Sequence, residues 1–189
     1  MRDRTVLLDS NVLYPAPIRD IFLQLAVMDL FRAKWTAEIH REWIAALLRN
    51  EPRRDRAILE RTRDLMDRSV RDCLVTGYEA LIPQIALPDP DDRHVLAAAI
   101  FGRCDMIITQ NLRHFPDSAL APYAVEVRRP DVFLCNQLEL APGVFCEAIR
   151  KVRARLKNPP FSVDDYLTNL KRVGLAVTAS ELEPFVDLI

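Results

Sequence analysis

Apolar positions along this chain follow two rhythms, and their alternation sets out the expected architecture. The run TVLL (5–8) is short, unbroken and ends in the polar DSN, as suits a strand buried on both faces. Pro15 and Pro17 punctuate the chain, and from Ile18 apolar residues recur at 18, 21, 22, 25, 28 and 31, a helical period. Thr36 is placed to cap a second helix, AEIHREWIAALLRN, which Pro52 stops. A third is expected in RRDRAILERTRDLMDRSV, with Ile58, Leu59, Leu65 and Met66 on one side and charges elsewhere. GYEALIPQIAL reads as a short strand or as a loop. DDRHVLAAAIFGRC is a helix with Gly102 as its stop, DMIIT (105–109) a second buried strand, and YAVEV (123–127) one more.

This order of strands and helices argues for an α/β/α sandwich with a mostly parallel central sheet. Residues 131–157 read as two helices parted near Pro142-Gly143. Beyond NPPFS, residues 163–173 and 179–188 form two short helical segments. Ser162 and Thr178 are candidate caps, and TASE has capping-box spacing. The expected division is a main α/β unit over 1–139 and a small helical extension over 140–189.

Half of the 189 residues are apolar and 28% are charged, the make-up of an ordinary globular protein. No apolar run of about 18 residues occurs, and MRDRTVLLDS lacks the apolar core of a secretion signal, so the expectation is no membrane span and a cytoplasmic location. Cys73, Cys104, Cys135 and Cys146 are scattered, as buried thiols rather than zinc ligands or disulfides would be. With His40, His94 and His114 the only histidines, a metal ion would be a hard one held by oxygen. The net charge of −1 excludes a global basic field, yet only four of the 26 basic residues are lysine. Arginine is favoured where phosphate or carboxylate is gripped in a fork.

The stretch LPDPDDRHVLAAAI crowds Asp89, Asp91 and Asp92 against the start of an alanine-rich helix. In parallel sheets, ligands sit beyond the carboxyl ends of the strands. Asp9 follows the first strand, and Thr109, Gln110 and Asn111 follow DMII. Asp92 stands where a helix dipole favours an anion, and Glu42 lies beside Ile39 and Trp43 at the edge of an apolar stripe. Polar positions from four segments, Asp9, Glu42, Asp92 and Asn111, therefore converge at one end of a sheet. Taken singly each has a plainer reading: the aspartates as caps or turn formers, Glu42 as a solvated helix face, His94 as packed or solvated.

In their order and spacing, LLDSNVL, WTAEIHREW, LPDPDDRHVLAAAI and DMIITQNLRHFP resemble PIN domains, over about residues 4–135. The nearest resemblance is to bacterial VapC-type toxins, the ribonucleases of toxin–antitoxin pairs. The tail NPPFSVDDYLTNLKRVGL is similar to the C-terminal extension of one branch of them. The resemblance implies a PIN-like fold, an RNA substrate, a cognate antitoxin and a homodimer. It matches Asp9 to the first family aspartate, Glu42 to the helix glutamate and Asp92 to the aspartate ahead of the apolar helix. At the strand end, where many relatives carry an aspartate, this chain has Asn111, with His114 three residues on. An amide brings no charge, so one metal ion is expected rather than two.

Phosphodiester hydrolysis needs an activated water and neutralisation of transition-state charge, both of which Mg²⁺ or Mn²⁺ supplies through a few carboxylates and open water positions. Asp9 and Asp92 are the expected direct ligands, with Glu42 completing the metal set by binding metal-held water or acting as general base. Ser10, Thr109, Asp91 and Asn111 are expected to orient water or substrate. Without the ion, like-charge repulsion should raise the carboxylate pKa values. Arg93 and Arg113, near the site in sequence, are candidate contacts for RNA. So are Arg150 and Arg153 in RKVRARLK, for RNA or an acidic antitoxin segment. Two other classes remain: a non-catalytic binding module of the same fold, suggested by Asn111, and an aspartyl-phosphate enzyme. The last wants an acid two residues after its nucleophile, where this chain has Asn11.

Overall fold

The computed structural model describes residues 4–189. Strand β1 (Thr5–Leu8) leads into the single turn α1 (Ser10–Leu13) and then α2 (Ala16–Val27). After β2 (Arg32–Lys34) come α3 (Ala37–Asn50) and α4 (Arg56–Ser69). Two 3₁₀ turns, Glu79–Gln84 and Pro90–Asp92, precede α5 (Arg93–Phe101) and β3 (Met106–Ile108). A 3₁₀ turn, Leu112–His114, the short α6 (Asp117–Leu120) and β4 (Glu126–Arg128) complete the sheet region. The remainder is helical: α7 (Pro130–Leu140), α8 (Pro142–Ala154), α9 (Val163–Arg172), α10 (Ala176–Leu182) and a 3₁₀ turn over Glu183–Leu188.

The four strands are all parallel and lie in the order β2-β1-β3-β4. Val6, Leu7 and Leu8 are fully buried, and successive strand residues face opposite ways, so helices cover both faces of the sheet. From β1 the chain moves outward to β2 on one side, while β3 continues to β4 on the other. The reversal opens a crevice at the carboxyl ends of β1 and β3, which pair as Leu8 with Ile108.

Local chemistry explains most boundaries. Thr36 accepts the Ile39 amide and Ser162 the Asp165 amide, as expected of caps. Thr178 is not a cap: it lies inside α10, and Asp131 from α7 takes the Val177 and Thr178 amides instead. A cap supplied by another helix left no local trace in TASE. GYEALIPQIAL holds a 3₁₀ turn rather than a strand. The bridge beside Trp35 is made by Leu74, earlier in the chain. YAVEV is a strand only from Glu126, because Ala124 takes a left-handed conformation (φ 53°). The edge strand β2 went unpredicted, since its RAK sequence carries no apolar run.

The C-terminal helices share the core of the sheet region. Phe133 of α7 stacks on Phe22 of α2 at 5.7 Å and meets Phe31 edge-on at 5.0 Å. Each such pair contributes about 0.5–1.5 kcal/mol beyond its buried area. Arg153 donates to the Phe161 and Ile189 carbonyls, so this residue fastens the tail. All four cysteines are free and buried, as expected, and burial pushes the Cys104 thiol up to about 12. No helix among the described residues is long and apolar enough to cross a membrane.

Helices α2, α5 and α9 end in the same way, with two amides folding back on the last turn. The left-handed residue in this motif is normally glycine. Gly174 fills it after α9, but Asp29 does so after α2 and Arg103 after α5, with φ of 56° and 52°. A side chain there costs roughly 1–2 kcal/mol, and aspartate bears it more readily than arginine. Gly102, the expected stop, is itself right-handed and is required by space: a Cβ would meet the Ala98 carbonyl at 2.9 Å. A Cβ on Gly143, in the first turn of α8, would meet nothing within 4 Å. Gly102→Ala should therefore destabilise the protein by about 1–3 kcal/mol. Gly143→Ala should stabilise it by about 0.4–1 kcal/mol, both read from urea unfolding midpoints.

Candidate active site

The carboxyl ends of β1 and β3 are tied together through one carboxylate. Asp9, only 3% exposed, caps α1 and accepts the Ser10 amide at 2.6 Å. Its other oxygen accepts from Thr109 Oγ1 at 2.7 Å and from Asn11 Nδ2 at 2.6 Å. Asn11 also donates to Thr109 Oγ1 and accepts the Gln110 amide, bridging the two strand ends in both directions. Its only sequence signal was its place two residues after Asp9, read as a missing acid rather than as this bridge. Thr109 is fully buried, and its hydroxyl is committed to Asp9. Ser10 is half-buried beside the same carboxylate, its hydroxyl 3.4 Å from Oδ1.

Asp92 ends the 3₁₀ turn before α5 and accepts from His114 Nδ1 at 2.6 Å. The far imidazole nitrogen, Nε2, takes a long 3.3 Å contact from Arg113 Nε, which leaves the proton on Nδ1, facing Asp92. Asp89 caps the turn through the Asp91 amide and also comes within 3.6 Å of His114. Ligand atoms of Asp89, Asp92 and His114 all lie within 4.8 Å of one another. The neighbouring acid brought to the site is therefore Asp89; Asp91 is exposed, and its carboxylate has no partner among the described residues. Asn111 sits on the exposed rim with no side-chain hydrogen bond among the described residues, and from this strand end it is His114 that reaches an acid, Asp92.

Glu42 reaches the site from α3, held by His94 Nε2 at 2.8 Å. His94 Nδ1 is buried without a partner among the described residues, as is Arg93 Nε. The expectation that His94 is simply packed or solvated misses its bond to Glu42, and no role was expected of His114, because their partners lie 52 and 22 residues away. Arg150 is exposed but forked onto Glu147, its neighbour one helical turn back. Arg153, turned inward onto two carbonyls, is not a free contact for RNA or antitoxin; its role is to hold the tail.

Electrostatics bind the set together. Burial raises the Asp9 carboxyl pKa above the ordinary range, opposed by the Thr109 and Ser10 hydrogen bonds and reinforced by the charges of Asp92 and Glu42. Asp92 is raised too, again by burial first; His114 lowers it, and Asp89 and Glu42 add to the rise. Repulsion between the acids raises both groups in the expected direction, but it is secondary to desolvation. The donors suit a hard divalent cation: carboxylates from separate segments, with Asp92 Oδ1 and Glu42 Oε2 free of hydrogen bonds among the described residues.

A parallel α/β fold with acids gathered at the switch point of its sheet defines a class of protein built around an acidic crevice. Within that class, the chain belongs to the PIN-domain family, whose model matches residues 5–113. The model of the VapC50 C-terminal domain matches residues 130–184. A curated relative from Mycobacterium tuberculosis, "Putative ribonuclease VapC50", is 43% identical over 79 residues, 42% of this chain and 47% of that protein. The chain thus matches about half the length of this relative. No solved structure matches it.

Raised carboxyl pKa values carry a definite sign. Between the unfolded and folded pKa the native state holds protons that the unfolded chain has released. The associated stability is full below the ordinary carboxylate range and is lost as pH rises through the raised one. In chelator, the stability of wild type relative to Asp92→Asn should fall as pH rises above the ordinary carboxylate range. A relative stability that rises with pH would mean that the Asp92 charge is favourable in the folded state.

Proposed function

We propose that this protein is a Mg²⁺- or Mn²⁺-dependent endoribonuclease, the toxin of a toxin–antitoxin pair. The observation that carries this reading is the acidic cluster at the sheet's switch point, where ligand atoms of Asp89, Asp92 and His114 lie within 4.8 Å of one another. The mycobacterial relative's name supports RNA as the substrate, and the second family model supports membership of a toxin branch. A bound ion would acidify water and neutralise charge on the phosphoryl oxygens.

The chain's own residues define how such an ion is received. Asp92 and Glu42 would hold it directly or through its waters. Asp9 cannot turn, because Asn11, Thr109 and Ser10 fix both of its oxygens. His94 and His114 each hold one oxygen of Glu42 and Asp92, leaving the other directed for use. Arg113, exposed and one residue from His114, is placed to meet RNA phosphate beside the acids; Arg93 and Arg150 are weaker candidates. Asn111 at the rim is assigned to substrate rather than metal, and a single ion fits this set better than two.

A cognate antitoxin, a homodimer and work in the cytoplasm belong to the same reading. Residues 1–139 form the nuclease unit and 140–189 an extension bracing it, with α7 at the join. The decisive experiment is cleavage of a panel of tRNA and structured RNA with and without Mg²⁺ or Mn²⁺. Wild type should cut only with metal and Asp92→Asn should not cut, while keeping its fold; full activity in the variant overturns the assignment. His94→Gln should weaken metal affinity by about 10- to 100-fold, measured by titration of Mn²⁺.

A further inference from the structure

At the opposite end of the sheet, a cavity of about 710 Å³ opens where β1 and β2 begin and α2, α4 and α5 have ended. Four cations line it, Arg32, Lys34, Arg71 and Arg103, against two acids, Asp29 and Asp72. None of the six side chains has an ion-pair or hydrogen-bond partner among the described residues. The ordinary use for cations beside helix ends is to bind the last carbonyls. Here α2 and α5 close those carbonyls with their own backbone amides, and no guanidinium or ammonium group takes part.

Arg103 is the strongest sign. It stands at φ 52°, in the position that glycine fills at the end of α9. A glycine would relieve the backbone, and what arginine adds there is a guanidinium at the cavity wall.

We propose that this cavity binds a compact polyphosphate group, carried by a nucleotide-sized ligand, at a site separate from the acidic crevice. Its volume falls within the ordinary range of small-molecule pockets. Its four cations line one concavity, which suits a compact anion. Recognition is of phosphate and not of base. The aromatic residue in the wall, Phe31, is 2% exposed and packed on Phe22 and Phe133, so it offers no stacking face.

The test is calorimetric titration of the full chain with tripolyphosphate, ATP and GTP in EDTA at low salt. Tripolyphosphate should bind one-to-one, and ATP and GTP should bind equally well. Asp92→Asn should bind as wild type does, whereas Arg71→Ala/Arg103→Gly should bind about tenfold or more weakly. Arg103→Gly alone should also weaken binding without lowering the melting temperature, since glycine suits that backbone. No binding by wild type, or binding unchanged in the double variant, overturns the site. So does a double variant that loses affinity for a short single-stranded RNA but not for tripolyphosphate, because the cavity would then belong to an RNA track. Because the titration uses no metal and no cleavage, its outcome is independent of the nuclease reading.

Discussion

A carboxylate buried between two strand ends is the constraint on which the rest of this structure depends. Removing Asp9 from water would cost several kcal/mol if its charge were left bare. Three donors from two chain segments meet it instead, and Asn11 closes the arrangement by bonding to both strand ends. Those bonds can form only when β1 and β3 are adjacent and in register, so satisfying Asp9 and forming the centre of the sheet are one event. The fold gains a pinned switch point. The site gains an acid whose orientation is fixed before any ligand arrives, while its raised pKa records that the hydrogen bonds do not fully offset desolvation.

The other two acids are less buried and are governed differently, each by an imidazole. His94 joins α5 to Glu42 on α3, and His114 joins the turn after β3 to Asp92 ahead of α5. The third histidine, His40, follows the same rule away from the site, set between Trp43 and Asp67. Every histidine in the chain is therefore committed to a carboxylate. An Asp or Glu with one oxygen held and the other free is limited to few orientations, which is how a set of acids can stay convergent before binding a cation. The amide at Asn111 would matter more if the strand end had to supply a charge. With His114 on Asp92, that end contributes a hydrogen bond to an acid already present.

Legibility in the sequence followed the range of the interaction. Elements signalled by unbroken apolar runs or helical period, such as β1, α3, α5 and β3, were readable, as were caps whose partner lies three residues on, Thr36 and Ser162. The edge strand β2 carries charge at both ends and was invisible, because its pairing is decided by the neighbouring Thr5–Leu7 backbone. The cap on α10 comes from Asp131, 46 residues earlier than Val177, so no local motif could announce it. In the acidic stretch, the acid that shares the neighbourhood of Asp92 and His114 is Asp89 rather than Asp91. Asp91 faces solvent because the turn's own cap bond turns its backbone away. The run RKVRARLK looked free of acid only because its window began three residues after Glu147.

A net charge of −1 conceals an axis through the molecule. Helices in a parallel α/β fold run against the strands, so their positive amino ends gather at the carboxyl ends of the sheet. Asp9 and Asp92 occupy two such starts, at α1 and α5. Arg71 and Arg103 stand where α4 and α5 have ended, at the other pole. For most of these charges the dipole lowers the cost of their location by a few tenths to about 1 kcal/mol, and folding alone accounts for them. Arg103 differs, since its left-handed backbone costs at least as much as the dipole returns. Folding energetics thus explain the polarity of the molecule but not this residue, which is the observation on which the proposed anion site rests.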